Sequence, residues 1–156
     1  MTLYPRDENR MWPWGILLLR VVVGFAFFMH GQQKLFEMGI GGVTGFFDSL
    51  GIPAAGLFAI VVSLIETIGG LALILGVLTR VAGVLLAADM LVAMLVFHAP
   101  NGFFAGANGI ELVLVLGAAA LALALTGPGA LALDHALPIE RRLSGRRAAN
   151  LAPSRG

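Results

Sequence analysis

The 156-residue sequence contains no cysteine. Disulfides, thiolate metal sites, CxxC redox chemistry and a cysteine nucleophile are therefore excluded within the chain. Any redox chemistry it takes part in belongs to a bound cofactor or a partner. Charge is scarce as well: Asp, Glu, Lys and Arg make up 12% of the residues, about half the roughly 25% of soluble domains. No HExxH and no serine–histidine–acid arrangement is present. The glycine-rich stretch 39–45, GIGGVTG, lacks the Lys-Ser/Thr that completes a phosphate loop. Gly69-Gly70 and Gly76 read as sites of close helix packing. With a formal net charge of +1, no nucleic-acid partner is expected.

What the chain has in abundance is apolar surface: 58% hydrophobic residues and a mean hydropathy of +0.91. A single domain of this length cannot hide so much from water, so the chain reads as an integral membrane protein in contact with lipid. Four stretches meet the roughly 20 largely apolar residues of a membrane-spanning helix: 12–32, 57–76, 80–98 and 108–126. The expected fold is all-α, an antiparallel four-helix membrane bundle. Trp12 and Trp14 suit an interfacial anchor. The short link Val77-Leu78-Thr79 forces a helical hairpin. The 33–56 connection is too rich in Gly and Pro for a fifth span, and its Phe46, Phe47 and Leu50 predict a short amphipathic helix on the membrane surface. Gly127-Pro128-Gly129 stops the last span. Residues 1–11 then form a cytoplasmic N-terminus, 12–137 the membrane domain and 138–156 a basic, disordered tail. Arg20 interrupts the first apolar run and no small-x-small site follows, so a cleaved signal peptide is not expected.

Orientation follows from Lys and Arg outside the spans. Arg6, Arg10, Arg80, Arg141, Arg142, Arg146, Arg147 and Arg155 share one side, and Lys34 alone lies on the other. Both termini are expected in the cytoplasm, with the chain multi-pass in the plasma membrane.

Ionisable residues at membrane depth cost about 2.5–3.5 kcal/mol each on insertion scales and usually face the bundle interior. At about 1.5 Å rise per residue, Arg20, Glu66 and Asp89 come out at similar depths on three helices, which predicts a buried charge cluster. The alternative for Arg20 is a side chain that snorkels to the surface. Arg20, Gly24, Phe27, Gly31 and Lys34 recur at spacings of three and four and form one stripe facing the bundle. Its outer end, with His30, meets His98, Asn101, Asn108 and Glu111. This outer polar layer reads either as a ligand site, with Phe27, Phe103 and Phe104 available to stack on a ring, or as interfacial residues that fix helix ends. His30 and His98 at one level would suit a haem, but a lone histidine more often only hydrogen-bonds. Neither haem nor a metal is expected.

An ordered set of short pieces resembles the DoxX family of small four-helix membrane proteins. The set begins with Arg20-x3-Gly24-x2-Phe27-x2-His30-Gly31-x2-Lys34-Leu35-Phe36 and continues with Glu66-x2-Gly69-Gly70-Leu71-x4-Gly76-x2-Thr79-Arg80. It runs on through Asp89-Met90-x2-Ala93, Asn101-Gly102-Phe103-Phe104, Asn108-Gly109-x-Glu111 and Gly127-Pro128-Gly129 to Leu133-Asp134, about residues 14–137 in all. Ala132 departs from the family's Ser before the Leu-Asp pair. The resemblance implies an oxidoreductase-associated protein of the cell inner membrane, tied to redox homeostasis and a quinone or quinol, with Lys34 or His30 donating to a quinone oxygen and Glu111 or His98 carrying the proton. The alternative is a non-catalytic scaffold that recruits soluble redox enzymes to the cytoplasmic face through the basic tail.

Overall fold

The computed structural model describes residues 11–136, and every regular element among them is helical. Residues 1–10, the basic tail and, apart from Lys34 and Arg80, the cations used to orient the chain lie outside the described residues. Helix α1 runs Trp12–Gln32 with Pro13 in its first turn, where a missing N–H costs nothing. It continues through a π turn, Gln33–Glu37, closed by Met38 N–H on the Gln33 carbonyl at 3.0 Å. Helix α2 is Gly39–Ser49, α3 is Ala55–Leu75 and α4 is Thr79–Ala93. A second π turn, Met94–His98, and a 3-10 turn, Ala99–Asn101, prolong α4. Helix α5 is Glu111–Thr126.

Three of these helical runs are long and apolar enough to cross a membrane: 12–37, 55–75 and 79–101. Helix α5 is apolar but has 16 residues, about 24 Å of rise. The expected fourth span at 108–126 loses its first turn because Asn108 takes a left-handed conformation, φ +59°. The N–H groups of Ile110 and Glu111 bond back to the carbonyls of Gly102 and Phe103 instead of starting a helix. At 11 residues, α2 is too short to span, as its glycines predict.

The helices are apolar on their outward faces as well as in the core. On α1 the buried stripe is Ile16, Arg20, Val23, Gly24, Phe27 and Gly31, while Leu18, Val22, Phe25 and Met29 face outward. The 3–4 spacing in the sequence therefore identifies the correct face. That face lies antiparallel on α3, where a Cβ on Gly24 would come within 2.7 Å of the Gly70 carbonyl oxygen, and Gly31 lies against Thr67. Helices α4 and α5 form a second antiparallel pair, with Gly83 against the Ala120 carbonyl and Gly117 against Met90. Small residues let backbones approach this closely where no hydrophobic effect drives helices together.

At the end holding Trp12 and Gly76, the segment after α5 straps the helices to one another. Ala130 N–H donates to the Pro13 carbonyl and Asp134 N–H to the Gly76 carbonyl, each at 2.9 Å. The Asp134 carboxylate accepts from Leu78 N–H at 2.8 Å and from Thr79 N–H and its hydroxyl at 3.2 Å. It thus caps α4 from a distant part of the chain. Arg80 donates to the carbonyls of Ala124 and Leu125 at the end of α5.

Arg20 lies beneath this strap, 1% exposed. Its guanidinium donates to the carbonyls of Pro128 and Leu131 and packs on Gly76. Burial excludes snorkelling, and the expected cluster with Glu66 and Asp89 is not formed. The reason is register: α1 overhangs the end of α3, so Arg20 stands level with Gly76, whereas Glu66 lies ten residues further along α3, about 15 Å away. Arg20→Leu should lower thermal stability in detergent by about 3 kcal/mol, two charge-assisted hydrogen bonds at roughly 1.5 kcal/mol each. Arg20→Lys should restore little of it, because an ammonium cannot present the guanidinium fork to two carbonyls.

Candidate functional site

At the end of the helices away from the strap lies a cavity of about 490 Å³, within the range of small-molecule sites. All five helices contribute. Val62, Met90, Val113 and Leu116 supply apolar wall, and the polar side chains are few and grouped.

The floor holds Lys34, Glu66 and Asp89. The α1–α3 register that places Gly31 against Thr67 brings the Lys34 ammonium onto Glu66 Oε2 in a salt bridge. Glu66 is almost wholly enclosed, with its side chain 4% exposed. An isolated carboxylate at that depth would be prohibitively desolvated. Asp89 stands within electrostatic reach of both, and its Oδ2 is buried with no hydrogen-bond partner among the described residues. Buried polar atoms are nearly always paired, so this oxygen is an open hydrogen-bonding position at the bottom of the cavity.

His30 and His98 line the cavity from α1 and from the end of α4. His98 Nδ1 donates to the Asn108 carbonyl at 2.7 Å, which leaves Nε2 as the acceptor in the neutral ring. Three phenylalanine rings and the His98 imidazole form a connected cover. Phe46 of α2 meets Phe47 at a centroid distance of 5.9 Å and Phe97 edge-on at 4.9 Å, and Phe97 meets the His98 ring at 4.8 Å. Lys34 and His98 each sit in a π turn. Such turns re-aim the side chains that follow and recur at functional sites.

Of the expected outer layer, the structure gathers His30, Lys34 and His98 at the cavity. Glu111 is elsewhere: its carboxylate accepts from Ala105 N–H at 2.9 Å and fixes the loop before α5. Phe27 is fully buried in the core. Phe103 and Phe104 pack edge-on against each other at 5.5 Å and are exposed on that loop. The phenylalanine rings at the cavity are instead those of Phe46, Phe47, Phe58 and Phe97. The two phenylalanines of α2 were legible as the apolar face of a short helix, but not as a face turned toward a cavity. Of the expected charge cluster, Glu66 and Asp89 do come together, with Lys34 as their cation in place of Arg20. Among the described residues no group of three or more His, Asp or Glu could hold a metal ion.

The family model described as DoxX matches residues 15–99. CatD of Bacillus subtilis (strain 168), provisionally named an oxidoreductase, is 38% identical over 126 residues, covering 81% of this chain and 89% of that protein. A membrane protein of Mycobacterium tuberculosis (strain H37Rv) is 33% identical, covering 94% of this chain and 91% of its own length. The inner membrane protein YqjF of Escherichia coli (strain K12) is 32% identical, covering 79% and 92%. No solved structure matches the chain.

Breaking the floor pair from one side leaves a buried charge alone. Lys34→Met should cost about 3–5 kcal/mol of stability, and Lys34→Met with Glu66→Leu should recover most of it. Thermal or chemical unfolding of the four combinations in one detergent gives the coupling directly.

Proposed function

The chain belongs to the DoxX family, and from that premise we propose that its cavity binds the head of a quinone or quinol. The protein then acts as a membrane subunit of an oxidoreductase or of a system that maintains redox balance. The observation that carries the reading is the cavity's polarity: apolar and aromatic walls ending in one ammonium and two carboxyl side chains. A quinone head needs this mixture, since its two oxygens must be hydrogen-bonded in an otherwise apolar site. Lys34 donates to one oxygen, Asp89 and Glu66 exchange protons with the reduced form, and His30 or His98 serves the second oxygen. Phe46, Phe47 and Phe97 bracket the ring. With no cysteine, electrons pass between the ligand and a partner rather than through thiols of the chain. The provisional oxidoreductase name of the Bacillus subtilis relative agrees with this reading.

Calorimetric titration of a tail-less benzoquinone into the purified protein should give saturable binding. Asp89→Asn should weaken it about tenfold, the loss of roughly one hydrogen bond to a charged group, and Val113→Trp, which fills the cavity, should abolish it. No saturable binding to folded wild type removes the quinone reading. It leaves a scaffold that gathers soluble redox enzymes through Arg141, Arg142, Arg146 and Arg147.

The same proposal places α1, α3, α4 and α5 across the inner membrane as a four-helix bundle, both termini in the cytoplasm and the cavity in the outer half. A cysteine introduced at Ser49 should react with a membrane-impermeant maleimide in intact cells, while one at Ser144 should not. The opposite pattern inverts the topology.

A further inference from the structure

Some side chains belong both to the cavity wall and to the outer surface. Leu112 of α5 is one, 47% exposed, and three cluster along the α3–α4 seam: Phe58 at 44%, Val92 at 57% and, in the π turn that prolongs α4, Val96 at 41%. A side chain that belongs to both a cavity wall and the lipid-facing surface marks a place where the wall is one side chain thick.

The register of α3 on α4 explains why the opening is there. The two helices meet where Gly69 lies against the Leu86 side chain, 3.2 Å from a Cβ built on the glycine. One turn further from the strap, the facing positions are Glu66 and Asp89, the floor. Beyond these come Val62 with Val92, then Phe58 with Val96. Gly56, the next glycine along α3, faces Thr44 of α2 and not α4, and the α3–α4 seam above the two acids is lined by Val62, Val92, Phe58 and Val96 as a slot open to the cavity. The slot is some seven or eight residues deep, about 11 Å from Phe58 and Val96 to the floor. By contrast, the end of the cavity toward the outer loops is roofed by the apolar Phe46, Phe47 and Leu50.

We infer that the ligand enters sideways from the bilayer through the slot between α3 and α4, and that it is a membrane-dissolved amphiphile whose polar head descends to Glu66 and Asp89 while an apolar tail stays in lipid between Phe58 and Val96. This rests on the quinone reading for the identity of the head. It adds the route, and it selects for a long isoprenoid or alkyl tail over a water-soluble ring. The apolar slot matches a tail, and tail burial contributes about 0.8 kcal/mol per methylene removed from water.

Two measurements on the full chain in nanodiscs test this. In the first, Trp12 and Trp14 are replaced by Phe and Val113→Trp places an indole in the cavity, with Leu123→Trp as a core control and Met90→Trp as a second cavity position should the first fail to fold. Lipids brominated along the acyl chain should quench the cavity indole and not the core one. Equal protection of cavity and core overturns the lateral opening, whatever the ligand. In the second, a tail-less benzoquinone and one with a long isoprenoid tail are compared on wild type, Val92→Trp, Val96→Trp and, at the roof, Leu50→Trp. The slot variants should weaken the tailed quinone tenfold or more and change the tail-less one less than twofold, and the roof variant should change neither. Loss confined to the roof variant, or equal loss of both quinones in the slot variants, overturns the route. Failure of both quinones on wild type removes the quinone reading but leaves the quenching result to decide the opening.

Discussion

A guanidinium buried in apolar surroundings must find its partners or the fold does not form. Both terminal nitrogens of Arg20 find them on backbone carbonyls of the segment after α5, with Nε left unpaired among the described residues, and much of the rest of the structure follows. Gly76, which ends α3 at φ +69°, has no side chain because the Arg20 guanidinium occupies that place. Leu131 holds a left-handed conformation, φ +49°, that a β-carbon disfavours, and its carbonyl is one of the two Arg20 acceptors. With the strap so fixed, Asp134 reaches the start of α4. One end of the protein is therefore bound together by polar groups, and the space that the helices do not fill lies at the other.

The location of that space follows from glycine. The α1–α3 and α4–α5 pairs close on glycine contacts along their lengths, and each is a tight two-helix unit. Between the units the contact at Gly69 is made by the Leu86 side chain, and the cavity lies beyond it, away from the strap. The cavity is the gap between two well-packed pairs, roofed by α2. Lys34 and Glu66 hold its floor on one pair and Asp89 faces them from the other, so a ligand that satisfies Asp89 also joins the two units.

The helical stripe of α1, the hairpin of α3 and α4 and the short α2 were legible in the sequence because spacing and length express them directly. Helix depth also brought Glu66 and Asp89 to one level. The partner of Arg20 was not legible, because backbone carbonyls leave no mark in a sequence and only acids appear as candidate partners. Counting depth from helix ends also missed the overhang of α1 beyond α3. Glu111 looked like a site residue because it lies at the right height, but height does not tell whether a carboxylate turns inward or satisfies a loop N–H. The π turns have no residue signature, yet they hold Lys34 and His98. The buried face of a regular helix was thus legible, and the partner that a polar side chain on it finds was not.

The layer beneath the cavity, formed by Phe27, Leu73, Leu86 and Leu123, is buried and wholly apolar, and it stands between the floor acids and the strap. Such a layer is an insulator. On the proposed quinone reading, a proton released at Glu66 or Asp89 would therefore leave on the cavity side and not through the strapped end. Moving a charge the other way would work with or against the membrane voltage, at about 2.3 kcal/mol per elementary charge per 100 mV for a full crossing, and the insulating layer would confine proton exchange to one face of the membrane.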